Sequence, residues 1–353
     1  MKRHIFNKSI FAAISTLAFL TTFLSAGTIR PDAPEGARAS IQAAIDALPA
    51  TGGTVFIPAG RYVLDGMIHI NRSHVALRGE PGTLLFLGDG VKQPNLLIGS
   101  DVEAPGKTDK IRDVFISGIE FDGNKDAQDS EFHPTKPWLR NNTIDIRATD
   151  DLIIGNVNAH NARSGGIVAS WDCERMTVRG SAFHHNFFDG IALYDSRHLL
   201  ITEFLCYANN AAGLSLDNRL LDVTFANGHI YGNRNVGIFA RDSDGLNFRN
   251  LVIRDNGSFG SFLSHTADPD KGPESSNKTI PETGIRNSNF SGCSFINNRG
   301  HAIWMASVPK LSHDNSAIGC TFSGNVAPSI KGGNDMLKTA GNLIHNEKPA
   351  APK

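Results

Sequence analysis

A phrase of glycine, then an aliphatic residue, then alternation returns through the middle of this chain at a nearly fixed interval. The copies open at Gly166-Ile167, Gly190-Ile191, Gly213-Leu214, Gly237-Ile238 and Gly260-Ser261, alternately 24 and 23 residues apart. One step of 23 before Gly166 stands Thr143, which opens Thr-Ile-Asp-Ile-Arg in the same pattern, and a weaker copy starts at Gly300 after an insertion. A single copy cannot bury its own apolar face, whereas stacked copies build a continuous core. Short alternating strands at this period predict an all-β parallel β-helix. The Leu-x-x-Leu-x-Leu phrase that a leucine-rich repeat needs is missing.

A second landmark travels with the first. Asn186, Asn210, Asn233, Asn256, Asn298 and Asn325 each close a short apolar strand. Three residues earlier sit Phe183, Tyr207, Ile230, Ile253, Phe295 and Phe322, which are expected to stack inward. Asn tolerates the left-handed backbone of a tight corner, and identical side chains piled at one corner can hydrogen-bond along the pile.

The ends read as caps and tails. Residues 38–48 place Ile41, Ala44, Ile45 and Leu48 on one helical face, suited to covering the open N-terminal end of a solenoid. The β-helix is expected over 28–326. Residues 327–353 lack strand patterning and are expected to be a mobile tail.

Lys2, Arg3, His4 and Lys8 precede an apolar run from Ile10 to Leu24, followed by small residues at 25–27. That order reads as a secretory signal peptide, residues 1–26, and so as a secreted or periplasmic protein. The run is short for an uncleaved membrane span, and no other segment is long enough. With 34 basic against 35 acidic residues, nothing points to a nucleic-acid or membrane partner. The four cysteines (173, 206, 293, 320) are too few to fasten a secreted chain. Cys293 and Cys320 share a repeat position and are expected to stack as buried thiols, because stacked side chains seldom meet disulfide geometry.

If the residue after each Gly points inward, the second and fourth positions point outward. The fourth forms a column of Arg147, Ser170, Tyr194, Asp217, Arg241, Ser264 and Trp304; the second runs Asp145, Val168, Ala192, Ser215, Phe239, Phe262 and Ala302. Trp171, Asp195, Asn218, Asp242 and His265 lie just beyond. Rings such as Phe239, Phe262 and Trp304 suit the apolar face of a pyranose. Arg147 and Arg241 suit a uronate carboxylate. The irregular segments 122–140 and 264–283 interrupt the repeat where they can wall a groove.

The segment Ser40-Ile-Gln-Ala-Ala-Ile-Asp-Ala-Leu, followed by Gly52-Gly-Thr-Val-Phe-Ile-Pro-Ala-Gly-Arg-Tyr, resembles the opening of pectate-lyase-like right-handed parallel β-helix proteins. Phe121-Asp-Gly-Asn and the Asn and Gly-Ile rungs extend the likeness to about residue 325. Within that superfamily the chain looks most like bacterial mannuronan C5-epimerase and polysaccharide lyase modules. The epimerases carry Asp-Pro-His on one rung. Here the best-matching rungs have Val168 and Ser170 at those places, and an alternative offset keeps Asp145 but puts Arg147 for His. Pectin hydrolases of the superfamily carry Asp-Gly and then an Asp-Asp pair; Asp189-Gly190 matches the first half, and the next rung begins Ala212-Gly213.

The chemistry is therefore weighed on the residues. Hydrolysis needs two carboxyls about 5 to 9.5 Å apart. Asp145 and Asp217 stand three rungs apart, roughly 14 Å, which leaves Asp195 and Asp217 as the nearer pair. Elimination or C5 epimerisation of a uronate needs a cation at the carboxylate and a base for the C5 proton. Arg241 as cation, Asp217 as orienting carboxylate and Tyr194 as phenolic base or acid fit that demand, with Tyr194 expected to be acidified by the nearby Arg. Asp145, Arg147, Trp171, Phe239, Phe262, His265 and Trp304 are the expected substrate contacts. The partner read from this face is an acidic polysaccharide. A non-catalytic polysaccharide-binding solenoid and a glycoside hydrolase are the other two readings. His184-His185 beside the Asn corner reads as hydrogen-bonded rather than catalytic. Asp122-Gly-Asn-Lys-Asp126 alternates oxygen ligands like a calcium loop, without its following Gly and distant Glu. Calcium is thus the one candidate cofactor.

Overall fold

The computed structural model describes residues 28–29, 37–100, 109–266 and 284–350; the signal-peptide reading of 1–26 lies outside them. Three parallel sheets of 13, 10 and 11 strands run the length of the molecule, and each coil contributes a strand to each sheet in turn. The alternation seen in sequence is what makes this work. In Ile167–Ser170, Ile167 and Ala169 are buried while Val168 and Ser170 face out. Successive coils repeat the choice in register: Ile167 pairs with Ile191, Ile191 with Leu214 and Leu214 with Ile238. The core is thus a set of aliphatic and aromatic columns, with Phe225, Phe248 and Phe290 stacked at centroid distances of 5.6 and 4.6 Å.

The helix Ala37–Asp46 covers the first coils, and Ile41, Ala44, Ile45 and Leu48 are buried as their spacing implied. At the other end the expectation fails. The chain does not leave the solenoid at 327: Ile330–Lys331, Leu337–Ala340 and Leu343–His345 add one more strand to each sheet. These strands are short and mostly exposed, with only Leu337 buried, so they lack the alternation that betrayed the earlier coils. No helix among the described residues is long and apolar enough to cross a membrane.

The asparagine ladder exists, with one member corrected. It runs Asn186, Asn209, Asn233, Asn256, Asn298, Asn325, and all six are buried. From Asn209 onward each Oδ1 accepts from the backbone N–H and the side-chain Nδ2 of the Asn one coil earlier, as between Asn209 and Asn233 at 3.1 and 3.0 Å, while Asn186 Oδ1 accepts from the Ala162 N–H at 3.0 Å. Asn210 is exposed, and Cys206 rather than Tyr207 joins the inward stack with Phe183 and Ile230. Tyr207 points outward, stacked between His184 at 4.6 Å and Tyr231 at 4.9 Å. The left-handed backbone falls one residue before each ladder Asn, at His185, Ala208, Gly232, Asp255, Asn297 and Gly324. Its side-chain amide, not its conformational tolerance, is what selects Asn.

The repeating glycines are selected by crowding instead. A Cβ on Gly237 would sit 2.6 Å from the Gly260 carbonyl oxygen and 2.8 Å from the Asn256 side-chain nitrogen. Gly237→Ala is therefore expected to lower the unfolding free energy by about 1–3 kcal/mol, read as an earlier denaturation midpoint than in wild type. Cys293 and Cys320 are buried free thiols, as their shared position implied.

Candidate functional site

The 10-stranded sheet turns both predicted columns outward. One column is Arg147, Ser170, Tyr194, Asp217, Arg241, Ser264 and then Ala306; the other is Asp145, Val168, Ala192, Ser215, Phe239, Phe262 and then Trp304. Trp304 therefore belongs above Phe262, not above Ser264. After the insertion the rung opens at Ala302-Ile303 instead of Gly300, which shifts the sequence alignment by two.

Tyr194, Asp217 and Arg241 converge. With Asp145, Arg147 and Trp171 they line a cleft of about 630 Å³. One wall comes from segment 122–140, which contributes Trp138 and Arg140 and is closed by an antiparallel bridge between Phe132 and Arg140. Residues 267–283 of the other expected wall lie outside the described residues. Three arginines of the cleft already bind an aspartate. Arg241 gives Nε to Asp217 Oδ1 at 3.0 Å and Nη2 to Oδ2. Arg147 gives Nε and Nη2 to Asp145 at 2.9 and 3.0 Å, with both residues buried. Arg219 pairs with Asp195 at 3.1 Å. Each carboxylate stands within reach of its arginine because the repeat places them on the same or adjacent coils, so the cations neutralise Asp before any substrate arrives.

The expected effect on Tyr194 is reversed. Its phenol is raised above the ordinary value, first by burial and then by the negative charge of Asp189, with Asp217 adding to it. Arg241 spends its charge on Asp217. Tyr194 is consequently held as a proton donor. Asp189, which the sequence offered only as half of an Asp-Gly motif, is pushed up to about 6 by burial. Its Oδ1 accepts the Ala212 N–H at 2.8 Å, and the Ser215 hydroxyl partly offsets the burial of both Asp189 and Tyr194.

A raised carboxyl has a stability consequence. In the unfolded chain Asp189 ionises near 3.8, and in the fold near 6, so between these values the fold holds a proton that the unfolded chain has released. Stability from this group is present below about pH 4 and is lost as pH rises through 6. Asp189→Asn is expected to unfold at higher denaturant than wild type at pH 7, with the difference closing toward pH 4.

Beyond the cleft, sharing Asp189 with it, lies an apolar pocket of about 330 Å³ walled by Phe239, Phe259 and Phe262. Trp304 meets Phe259 and Phe262 edge-on at 4.8 and 5.1 Å, and Lys331 Nζ covers its ring at 4.4 Å. That face of Trp304 is occupied. His265 lines neither space; its Nδ1 is bonded to Ser307 Oγ at 2.9 Å. At the candidate calcium loop Asp122 Oδ1 accepts the Asn124 N–H at 2.8 Å, and no group of three His, Cys, Asp or Glu among the described residues is placed to hold a metal. Besides Asp189, the sequence missed Ser215 and Phe259. Ser215 stood in the second column as an ordinary small polar residue, and Phe259 sits in the loop before a rung glycine, where no periodic signal marks it.

The family described as right handed beta helix region matches residues 109–219 and 142–285, together half of the chain. The chain belongs to that family. Among curated relatives, mannuronan C5-epimerase AlgE2 of Azotobacter vinelandii is 26% identical over 232 residues, which covers 63% of this chain and 23% of the relative. The match thus spans under a quarter of that protein. Among solved structures, the A-module of mannuronan C-5 epimerase AlgE6 from the same organism superposes with a TM-score of 0.52 at 17% identity, over 88% of this chain and 96% of that one. PfbA, a surface adhesin of Streptococcus pneumoniae, superposes at 0.62 with 14% identity, over 86% and 79%. At such identities the structural likeness is one of fold, and a fold shared by an epimerase and an adhesin leaves the chemistry to the side chains of the β-helix.

Proposed function

We propose that this protein is an exported enzyme acting on uronate units of an acidic polysaccharide by C5 epimerisation or β-elimination. The observation that carries the reading is an acid–base pair in one cleft: Asp189 and Tyr194 line it together with the Arg241–Asp217 ion pair, Asp189 adding to the rise of the Tyr194 phenol. Asp189, ionised above about pH 6, takes the C5 proton. The electron pair moves toward the sugar carboxylate, where the rim residue Arg140 supplies positive charge. Tyr194, kept protonated, then delivers a proton. Delivered to C5 from the opposite face it completes epimerisation; delivered to O4 as the C4–O4 bond breaks, it completes elimination and leaves a C4–C5 double bond. The apolar pocket of Phe239, Phe259 and Phe262 would seat a neighbouring sugar ring. The 26% identity to a mannuronan C5-epimerase points the same way.

The test is incubation of the purified protein with a panel of uronate polymers. Ultraviolet absorbance reports unsaturated ends, and NMR reports inverted C5. Silence across the panel would overturn the reading, and new reducing ends without unsaturation would replace it with hydrolysis. A binding solenoid without turnover is the second reading. It is favoured by one observation: Arg147, Arg219 and Arg241 are each already matched by an aspartate.

A further inference from the structure

Arg147 is 2% exposed, yet one of its nitrogens is unmatched. Nε and Nη2 bond to Asp145, and Nη2 also donates to the Trp138 carbonyl at 2.8 Å. Nη1 is buried with no hydrogen-bond partner. Asp145 is fully occupied by comparison, since Asn142 Nδ2 reaches its Oδ2 at 3.3 Å as well. The unmatched polarity at this point is therefore purely that of a donor, and it sits on a cation. Leaving such a group buried and unmatched is costly, and the cost is recovered when an acceptor arrives. The Trp171 ring lies over the guanidinium at 4.7 Å and fixes its plane. Both residues line the same cleft as Tyr194 and Arg241.

We propose that Arg147 is a second carboxylate-binding point for the polymer, at the end of the cleft away from the aromatic pocket. This rests on the uronate reading above. It adds that the chain is bound along the solenoid axis through more than one of its acid groups. Arg147 and Arg241 are four coils apart in the same column, roughly 19 Å at the spacing of stacked strands. A disaccharide reaches one of them, whereas a longer oligomer reaches both. Nη1 is covered, so the incoming carboxylate must shift the Trp171 ring, and indole emission reports the event.

The experiment titrates the full chain with a uronate disaccharide, with a longer oligouronate that spans four coils, and with that oligomer after reduction of its carboxyl groups. Calorimetry and tryptophan emission are read together. The longer acid oligomer is expected to bind roughly ten- to a hundredfold more tightly than the disaccharide, the worth of one hydrogen bond to a charged group. Carboxyl reduction is expected to erase that gain and the emission change. Arg147→Lys keeps the charge but loses the planar fork, and is expected to erase the gain too. The comparison of oligomers needs no variant, so a misfolded Arg147→Lys leaves the proposal testable. A length gain that survives both carboxyl reduction and Arg147→Lys would overturn it. Failure of every uronate to bind would instead sink the uronate reading itself.

Discussion

Tyr194→Phe is expected to lower kcat on a uronate polymer by roughly 10²–10⁴-fold, the range that a positioned proton donor contributes. The ring stays in place, so polymer binding and the unfolding midpoint should change little. Asp189→Asn is expected to cost a similar factor by removing the base, even as it stabilises the fold at neutral pH. The two losses should not multiply, because base and acid serve one proton-transfer sequence. The pH profile gives an independent check. Asp189 works ionised, and burial holds it near 6, so kcat/KM should rise through about pH 6. Burial and neighbouring carboxylates raise Tyr194, so its alkaline limb should lie above the range of an ordinary phenol. If Tyr194→Phe altered KM alone, the phenol would be a contact and not a donor.

The largest stability effect is expected at the asparagine ladder. Asn233→Ala removes the Oδ1 that accepts the buried Asn209 N–H at 3.1 Å and its Nδ2 at 3.0 Å, and the Nδ2 that reaches the Cys206 carbonyl at 3.2 Å. An orphaned buried group costs about 1–3 kcal/mol, so a loss of about 3 kcal/mol or more is expected in chemical denaturation. Asn210→Ala, one residue from a ladder position but exposed, should stay within about 0.5 kcal/mol of wild type. Equal effects at the two sites would mean that the ladder carries no special weight.

That contrast also marks how far the sequence could be read. Period and alternation determine which residues face in, because a one-residue slip would turn every side chain to the other face. The columns from Arg147 to Arg241 were therefore legible, and so was the capping helix. The Asn209-Asn210 pair offers two amides at one corner, and only the stacked geometry distinguishes them. Trp304 was misplaced because the insertion before it broke the count. The last coil was missed because its exposed strands carry no inward pattern. Site chemistry was harder still. The columns showed Arg241 beside Asp217 and Arg147 beside Asp145, but not that each arginine would turn two nitrogens onto its neighbour. Burial and the charge of Asp189 then raise Tyr194, and the phenol stays protonated. Asp189 lies just before a rung glycine, where the residue type varies from coil to coil as Gly165, Ala212, Val236 and Phe259, so no periodic signal marks it.

The central claim is that Asp189 and Tyr194 move a proton at C5. Incubation of a uronate polymer with the protein in deuterium oxide, followed by NMR of the C5 position, tests it most directly. Wild type is expected to yield deuterium at C5, or an unsaturated end where elimination occurs, and Asp189→Asn to yield neither. An unchanged C5 proton in a polymer that the wild-type protein demonstrably binds would contradict the account and leave a sugar-binding solenoid in its place.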